Sequence, residues 1–199
     1  LLRVWVPGCA TGEEAYSVAM EILAASESRH KRIALQMFAT DVNEEALAVA
    51  RLGFYPPHIA ERIPADRLQK YFVPLNGRGF QVRPLLRGVI SFAAHNLVTD
   101  PPLSRMSLVS CRNVLIYLRA STQEQILKGL HFALQPGGYL FLGLSETTSA
   151  QRELFSTVSK SWRIYRKVGS LQAVSLALDG SRPTIMDFSN NPGVRPTPA

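Results

Sequence analysis

In the first part of the chain, segments with the apolar spacing of a β-strand alternate with segments that have the apolar spacing of an α-helix. The apolar run Leu2–Val6 predicts a first strand, and residues 12–26 carry apolar side chains at helical spacing. A second strand is predicted over Ile33–Thr40. The helix after it should begin at Asn43, a residue favoured at helix N-termini, and end at Gly53. This alternation predicts a mostly parallel sheet with helices on both faces.

The regular pattern is interrupted between residues 54 and 88. Repeated prolines and glycines break this segment, so we predict an inserted excursion with a short helix at Ala65–Tyr71 and short strands near Phe80–Val82. Regular spacing then returns. It predicts a helix over Thr122–Leu134 capped by Ser121, and strands over Val89–Ala94, Leu108–Cys111, Tyr139–Gly143 and Trp162–Arg166.

The composition changes near Gly169. Residues 170–199 contain serine, proline, glycine and asparagine, and the apolar residues among them show only weak periodicity. We therefore expect a single domain over residues 1–168, with the insertion inside about 54–94, and a linker or partly disordered tail over 169–199.

Length and charge set further bounds. The chain has 199 residues, 46% of them hydrophobic, which is enough for one domain with a full core. It contains no apolar stretch near the roughly 20 residues of a membrane helix, and we expect no membrane insertion. Two cysteines, Cys9 and Cys111, are too few for a disulfide scaffold, so reduced thiols and a cytoplasmic location are expected. The net charge of +7 is spread along the chain, which favours a solvated basic surface over a nucleic-acid site.

The most informative segment is the turn after the first predicted strand. Gly8 and Gly12 are spaced Gly-x-x-x-Gly, which differs from the dinucleotide-binding Gly-x-Gly-x-x-Gly pattern. Glu13 and Glu14 follow, where a pyrophosphate would be repelled. A ligand with positive charge and hydroxyls fits better, and S-adenosylmethionine carries an ammonium and a sulfonium. For Glu13, a favourable interaction with the helix dipole is an equal alternative.

Other candidate residues follow later predicted strands. Asp41 ends the second strand, where an acid can accept hydrogen bonds from both ribose hydroxyls. Asn96 follows the third strand and has an amide that can contact an adenine edge, although an asparagine here is often a turn residue. Cys111 and Arg112 end the fourth strand, and Tyr117 comes soon after. These residues do not form a metal-binding pattern. An ion-paired, structural Arg112 is the alternative to a role in the site.

Taken together, these segments resemble the CheR-type chemotaxis receptor methyltransferases, a bacterial family. The resemblance covers about residues 2–167. It rests on motifs that occur here in the family's order: Pro7-Gly8-Cys9-Ala10-Thr11-Gly12-Glu13-Glu14-Ala15-Tyr16-Ser17, Ala39-Thr40-Asp41, His95-Asn96-Leu97, Cys111-Arg112-Asn113-Val114-Leu115-Ile116-Tyr117, Leu134-Gln135-Pro136-Gly137-Gly138 and Ser145-Glu146.

The resemblance implies a doubly wound, mostly parallel Rossmann-like sheet with a small antiparallel β-subdomain inserted. It implies an enzyme that uses S-adenosylmethionine, releases S-adenosylhomocysteine and methylates glutamate side chains of receptors during signal adaptation. Tyr117 and Arg112 would be the catalytic residues. The cofactor-binding residues would be Gly8, Glu14, Asp41, Asn96, Leu97, Cys111 and Arg112. No metal is implied.

The implied partner is the cytoplasmic domain of a chemotaxis-type receptor or another acidic protein, with no nucleic acid. The family's helical N-terminal domain and its cofactor-closing linker are not in this sequence, so we expect a fragment of a longer protein, such as a methylesterase–methyltransferase fusion. A module that binds the cofactor or its product as a sensor or scaffold, without turnover, is the alternative. A nucleic-acid methyltransferase is disfavoured because Asp100-Pro101-Pro102-Leu103 precedes the fourth strand and lacks an aromatic residue.

Overall fold

A computed structural model describes residues 1–169, which form two β-sheets and the helices that cover them. Short 3₁₀ turns lie in the connections at Pro57–Glu61 and Leu115–Tyr117. The strands and helices are, in chain order, β1 (Leu2–Pro7), α1 (Glu13–Ser28), β2 (Leu35–Asp41), α2 (Glu44–Leu52), β3 (Phe54–Tyr55), α3 (Ala65–Tyr71), β4 (Phe72–Pro74), β5 (Phe80–Val82), α4 (Pro84–Arg87), β6 (Ile90–Ala94), β7 (Met106–Cys111), α5 (Ala120–Ala133), β8 (Leu134–Leu142), β9 (Phe155–Ser159) and β10 (Ile164–Lys167).

The larger sheet has seven strands in the order β6-β2-β1-β7-β8-β10-β9. The first five strands in this order run parallel, and β10 is antiparallel to both of its neighbours. The chain moves from β1 outward to β2 and β6, then crosses back to β7 on the other side of β1. The strand order therefore reverses between β1 and β7. In open α/β sheets, ligands bind outside the carboxyl ends of the strands at such a point.

The centre of the sheet is buried because β1 is apolar on both of its faces. Val4 and Val6 pack in a core under α1 and α2, while Trp5 points into a second core on the opposite face. Trp5 is fully buried, and its indole Nε1 donates a hydrogen bond to Thr40 Oγ1 at 2.9 Å. This bond satisfies a buried donor and joins β1 to β2 near their carboxyl ends.

The segment between α2 and β6 holds the small antiparallel sheet, in the order β3-β5-β4. It lies beside the first core, to which Tyr55 and Phe72 contribute. The Tyr55 hydroxyl donates to the Thr11 carbonyl oxygen at 2.7 Å. The small sheet therefore braces the loop that follows β1.

The doubly wound sheet and the inserted antiparallel sheet confirm the fold predicted from the sequence. The ends of α2 also match: Asn43 Oδ1 accepts from Ala46 N at 3.0 Å, and Gly53 adopts a left-handed conformation with φ 61°. The predicted helix at Ala65–Tyr71 is α3.

Several local expectations differ from the structure. Ser121 does not cap α5, which begins at Ala120 with Arg119 as its N-cap and no side-chain cap. The strand expected from Tyr139 begins at Leu134, because Leu134 pairs with Met106 before the turn and Tyr139 pairs with Leu108 after it. Residues 135–138 bulge between these two paired positions. The sequence prediction also lacks β9 and β3.

The boundaries of the predicted domain remain a prediction, and residues 170–199 of the expected tail lie outside the described residues. Among residues 1–169, no helix combines the length and apolar character needed to cross a membrane.

Candidate functional site

The loops after β1 and β7 touch each other at the point where the strand order reverses. Gly8 has φ 70°, and a Cβ built on it would lie 2.4 Å from Val114 Cγ2. A side chain at Gly8 would therefore push the two loops apart, besides requiring a conformation that L-residues rarely adopt. Packing of the two loops therefore requires that residue 8 have no side chain. The backbone of Gly8 is exposed at the carboxyl ends of β1 and β7, where the reversal of strand order predicts a ligand-binding crevice.

Asp41 joins the same first loop to the next strand. Its Oδ2 accepts from Ala10 N at 2.8 Å, and its Oδ1 accepts from Asn43 N at 2.9 Å. The carboxylate is partly buried at the end of β2. An ionised carboxylate has about four acceptor sites, so each oxygen can accept one further bond. Asp41 is therefore both a brace for the loop and an available acceptor for hydroxyl groups.

Glu14 lies in the first turn of α1 and points toward β7. Its Oε1 accepts from Ser110 Oγ at 2.7 Å. Burial raises the pKa of the Glu14 carboxyl above its ordinary value, while the Ser110 hydrogen bond and the charge of Arg112 act to lower it. Within residues 1–169, no basic side chain lies within ion-pair distance of Glu14. A ligand cation placed here would stabilise the charged carboxylate. In contrast, the exposed Glu13 accepts from Thr11 Oγ1 at 2.6 Å, a local contact.

Arg112 follows β7 and stacks on an aromatic ring. Its guanidinium carbon lies 4.8 Å from the centre of the Phe141 ring. In the described part of the chain it forms no ion pair, and its buried Nε has no hydrogen-bond partner. The alternative in which Arg112 forms a structural ion pair is therefore not observed among the described residues. A cation held on a ring face without an ion-pair partner is suited to attract a carboxylate through its charge.

Tyr117 and Cys111 differ sharply in exposure. Tyr117 lies at the end of a 3₁₀ turn with 81% of its surface exposed, and its hydroxyl forms no hydrogen bond with the described residues. Cys111 is fully buried in the second core, and burial raises the pKa of its thiol far above the ordinary value. The sulfur is therefore behind the crevice, and only the backbone of Cys111 reaches the strand end.

Asn96 and Leu97 follow β6, on the far side of β2. Asn96 Oδ1 accepts from Val98 N at 2.9 Å, so its side chain forms a local turn. The backbone N of Asn96 donates to Asp100 Oδ2 at 2.8 Å, whereas the side-chain Nδ2 has no hydrogen-bond partner in residues 1–169 and is free to donate. Leu97 packs against the second core and is partly buried.

The predicted site residues follow the order of the strands along one edge of the sheet. Asn96 and Leu97 follow β6, Asp41 ends β2, Gly8 and Glu14 follow β1, and Arg112 follows β7. Neighbouring strands lie about 4.8 Å apart, so four strands span roughly 14 Å. On one side of the reversal point, the edge therefore offers the carboxylates of Glu14 and Asp41 and the side-chain amide of Asn96 to an elongated ligand. On the other side it offers the positive charge of Arg112.

Glu146 is central to this edge and is not among the site residues that the sequence predicts. Its buried carboxylate accepts hydrogen bonds from four backbone N–H groups, at distances of 2.7 to 3.1 Å. Three of these belong to the loop after β7 and one to the end of β8. The donors are Asn113 N and Gly143 N on Oε2, and Val114 N and Leu115 N on Oε1.

This contact positions the loop that carries Arg112 and Tyr117. It needs a glycine nearby, because a Cβ on Gly143 would lie 2.8 Å from Glu146 Oε2. The sequence gives two signals for Glu146: it belongs to the Ser145-Glu146 motif of the resemblance, and it stands three residues after a glycine that ends a strand. Neither signal reveals that the carboxylate turns back into the protein.

The structure also contains a cavity of about 400 Å³ away from this edge, between α1 and the small sheet. Tyr16, Met20, Tyr55, Ile59 and Phe72 contribute to its lining. Glu13 also lines it, whereas the other site residues predicted from the sequence do not.

Comparison with known proteins identifies relatives along nearly the whole described chain. Residues 1–164 match the family model described as "CheR methyltransferase, SAM binding domain". A Rhodobacter capsulatus protein described as "Uncharacterized 104.1 kDa protein in hypE 3'region" is 45% identical over 165 residues, covering 83% of this chain and 17% of that protein. Chemotaxis protein methyltransferase Cher2 of Pseudomonas putida is 35% identical over 164 residues, covering 80% of this chain and 60% of that protein.

The chain thus spans less than two thirds of the length of each of these two relatives. Among solved structures, an S-adenosylmethionine-dependent methyltransferase from Mesorhizobium loti aligns with a TM-score of 0.39 and 18% identity, covering 71% of this chain and 45% of that chain.

Replacing Gly8 by alanine should destabilise the protein through both strain and overlap with Val114. We expect a loss of about 2–4 kcal/mol in the free energy of unfolding, measured by urea denaturation. Gly77 is a matched control, because it has φ 75° but no atom within 4 Å of the position that a Cβ would take. Gly77→Ala should therefore lower the free energy of unfolding only by the backbone strain of a left-handed alanine. In a Val114→Ala background the cost of Gly8→Ala should fall; equal costs for the two glycine substitutions would contradict the packing role.

Replacing Glu146 by glutamine should also destabilise the protein. The amide keeps one acceptor oxygen, while its NH₂ group faces backbone N–H groups that then lack an acceptor. With roughly 1–3 kcal/mol for each unsatisfied buried donor, we expect a loss of about 2–4 kcal/mol in urea denaturation. Glu124→Gln, on the exposed face of α5, is the control and should leave stability unchanged. Equal stability of the two variants would show that the carboxylate does not organise the loop.

Proposed function

The chain belongs to the CheR methyltransferase family, and from this premise we propose that it transfers a methyl group from S-adenosylmethionine to glutamate side chains of a chemotaxis-type receptor. The family's domain is an S-adenosylmethionine-binding domain. One observation supports the proposal most strongly. At the carboxyl ends of the strands, the partly buried acids Glu14 and Asp41 follow β1 and β2, and Arg112, which stacks on Phe141, follows β7 across the reversal point.

The donors and acceptors at this edge fit the cofactor. Glu14 has a raised pKa and no basic partner among the described residues, so the ammonium of the cofactor would stabilise its charged form. Asp41 has spare acceptor capacity for the ribose hydroxyls. The Asn96 amide nitrogen and the Leu97 side chain would border the adenine. The backbones of Gly8 and Cys111 and the side chain of Arg112 would complete the site.

Bound S-adenosylmethionine supplies a methyl group made electrophilic by the sulfonium. A glutamate carboxylate has an ordinary pKa of about 4.3 and is ionised at neutral pH, so no general base is required. Arg112 and Tyr117 would hold the carboxylate oxygen toward that methyl group, and the departing sulfur would remain on S-adenosylhomocysteine, held by the cofactor-binding residues. Catalysis then depends on alignment, which can contribute up to roughly 7–11 kcal/mol for well-oriented reactants.

Arg112 and Tyr117 are the residues we assign to the incoming carboxylate. Arg112 carries a charge without an ion-pair partner among the described residues, and its stacking on Phe141 limits where the guanidinium can go. Tyr117 projects a free hydroxyl from the adjoining turn. In this proposal Arg112 attracts the carboxylate and Tyr117 orients it by a hydrogen bond.

The proposal is tested with labelled S-adenosylmethionine and the purified cytoplasmic domain of a chemotaxis receptor. We expect label on the receptor that mild base releases as methanol, because carboxyl methyl esters hydrolyse and N-methyl groups do not. A receptor with its target glutamates changed to alanine is the control. Cofactor binding in calorimetry without any transfer would instead support the sensor or scaffold alternative.

Asp41→Ala should weaken cofactor binding about tenfold or more, the scale of lost charge-assisted hydrogen bonds. Isothermal titration calorimetry measures the affinity, and circular dichroism confirms that the variant is folded. Asp66→Ala is a matched control, since Asp66 is an exposed acid in the first turn of α3. An unchanged affinity for Asp41→Ala would refute the ribose assignment.

Tyr117→Phe should lower kcat and leave cofactor affinity unchanged. Loss of one hydrogen bond to a charged group costs about 1.5–3 kcal/mol, which corresponds to about tenfold or more in kcat. Tyr139→Phe, a partly exposed tyrosine near the start of the β7–β8 pairing, is the control. Wild-type turnover by Tyr117→Phe would remove its hydroxyl from the mechanism.

A further inference from the structure

Four large apolar side chains are exposed beside the proposed site. Besides Tyr117, they are Ile116 at 44% exposure, Leu144 at 62% and Trp162 at 66%. They come from three segments that are distant in the sequence. Scattered exposed apolar residues are ordinary, but a contiguous group of them marks an interaction surface.

The sheet places these three segments side by side. Ile116 and Tyr117 follow β7, Leu144 follows β8, and Trp162 precedes β10. These strands are consecutive neighbours, and β10 runs antiparallel to β8, so its beginning lies at the carboxyl end of β8. All four side chains therefore belong to the same edge as the proposed site, on the side of β7 away from Asp41.

Hydrogen bonds hold the three segments together. Arg163 Nε donates to the Leu144 carbonyl oxygen at 2.8 Å, and Leu142 N donates to the Arg163 carbonyl oxygen at 3.1 Å. On the other side, the Glu146 carboxylate joins Gly143 N to Leu115 N. The arrangement of the exposed side chains is therefore built into the fold.

The charges around them have one sign. Segments 112–119, 143–147 and 160–163 contain four basic residues and one acid. The acid is Glu146, which is buried with four N–H donors and does not face solvent. The basic residues are Arg112, Arg119, Lys160 and Arg163. The three segments thus combine exposed apolar side chains with a net positive charge.

We propose that Ile116, Tyr117, Leu144 and Trp162, which we name the apolar edge, dock the acidic segment of the substrate protein that carries the target glutamate. Apolar side chains of that segment pack on the apolar edge, and its carboxylates lie among the four basic residues. This inference rests on the proposed function, because it places the substrate next to Arg112. Two of the four side chains are aliphatic and offer no ring for stacking bases, which favours a protein over a nucleic acid.

Trp162 provides a direct probe of docking. The chain has two tryptophans, and Trp5 is fully buried while Trp162 is exposed. Quenching of intrinsic fluorescence by acrylamide, a neutral quencher, therefore reports on Trp162. We expect the receptor cytoplasmic domain, made without tryptophan, to protect Trp162 from acrylamide in the 199-residue chain, and added salt to weaken this protection.

Kinetics provide a second readout. Trp162→Ala and Leu144→Ala should each raise KM for the receptor about tenfold or more, the scale of an anchor residue in a protein interface. The value of kcat and the cofactor affinity should not change, and Trp162→Phe should restore most of the KM. Phe132→Ala is the control, since Phe132 is also exposed, at 55%, but lies on α5, outside the three segments.

The inference is overturned if the receptor domain leaves Trp162 open to acrylamide, or if Trp162→Ala and Leu144→Ala keep the wild-type KM. Protection by a single-stranded oligonucleotide but not by the receptor domain would also overturn it, in favour of a nucleic-acid surface. Failure of the proposed function looks different: the wild-type chain would transfer no base-labile methyl group, while acrylamide quenching would still decide whether the receptor docks.

Discussion

The architecture of the site depends on one buried carboxylate. Glu146 binds four backbone N–H groups, and in doing so it ties the end of β8 to the loop after β7. Such a loop would otherwise have unsatisfied donors in a buried place, which is costly. The same contact determines where Arg112, Tyr117 and Leu144 stand relative to one another. A residue that need not touch any ligand thus shapes the side of the crevice that faces the proposed substrate.

The crevice has an electrostatic division that matches the proposed reaction. Glu14 and Asp41 supply negative charge on the side of β1 and β2, while Arg112 and the basic residues near β8 and β10 supply positive charge on the other side. A cationic methyl donor and an anionic acceptor would therefore each be attracted to a separate half. Their reacting atoms would meet at the reversal point of the strand order, where Gly8 allows the two loops to touch. In the proposed reaction, alignment of the two reactants would be the main contribution of the protein, since the acceptor carboxylate needs no proton transfer.

Much of the fold follows from local patterns. The spacing of apolar residues predicts β1, α1, β2 and α2 within about two residues, and the caps at Asn43 and Gly53 are confirmed because capping depends on neighbours a few residues away. Short strands such as β3 and β9 are not predictable in this way. Each is stabilised by partners far along the chain, and its own sequence carries too few positions to show a period.

The sequence by itself determines the order of strands and helices along the chain, because the local spacing of apolar residues indicates each element. It also determines the residue types at the strand ends, which short motifs specify. It thereby determines that Gly8, Glu14, Asp41 and Arg112 lie near one edge, because parallel strands present their carboxyl ends together. Only the tertiary structure decides that Cys111 points into the core, that Glu146 turns inward to four N–H groups, and that Trp162 joins Leu144 and Tyr117 on one surface. The physical reason is that burial and hydrogen bonding depend on contacts between distant segments, and these exist only after the sheet has assembled.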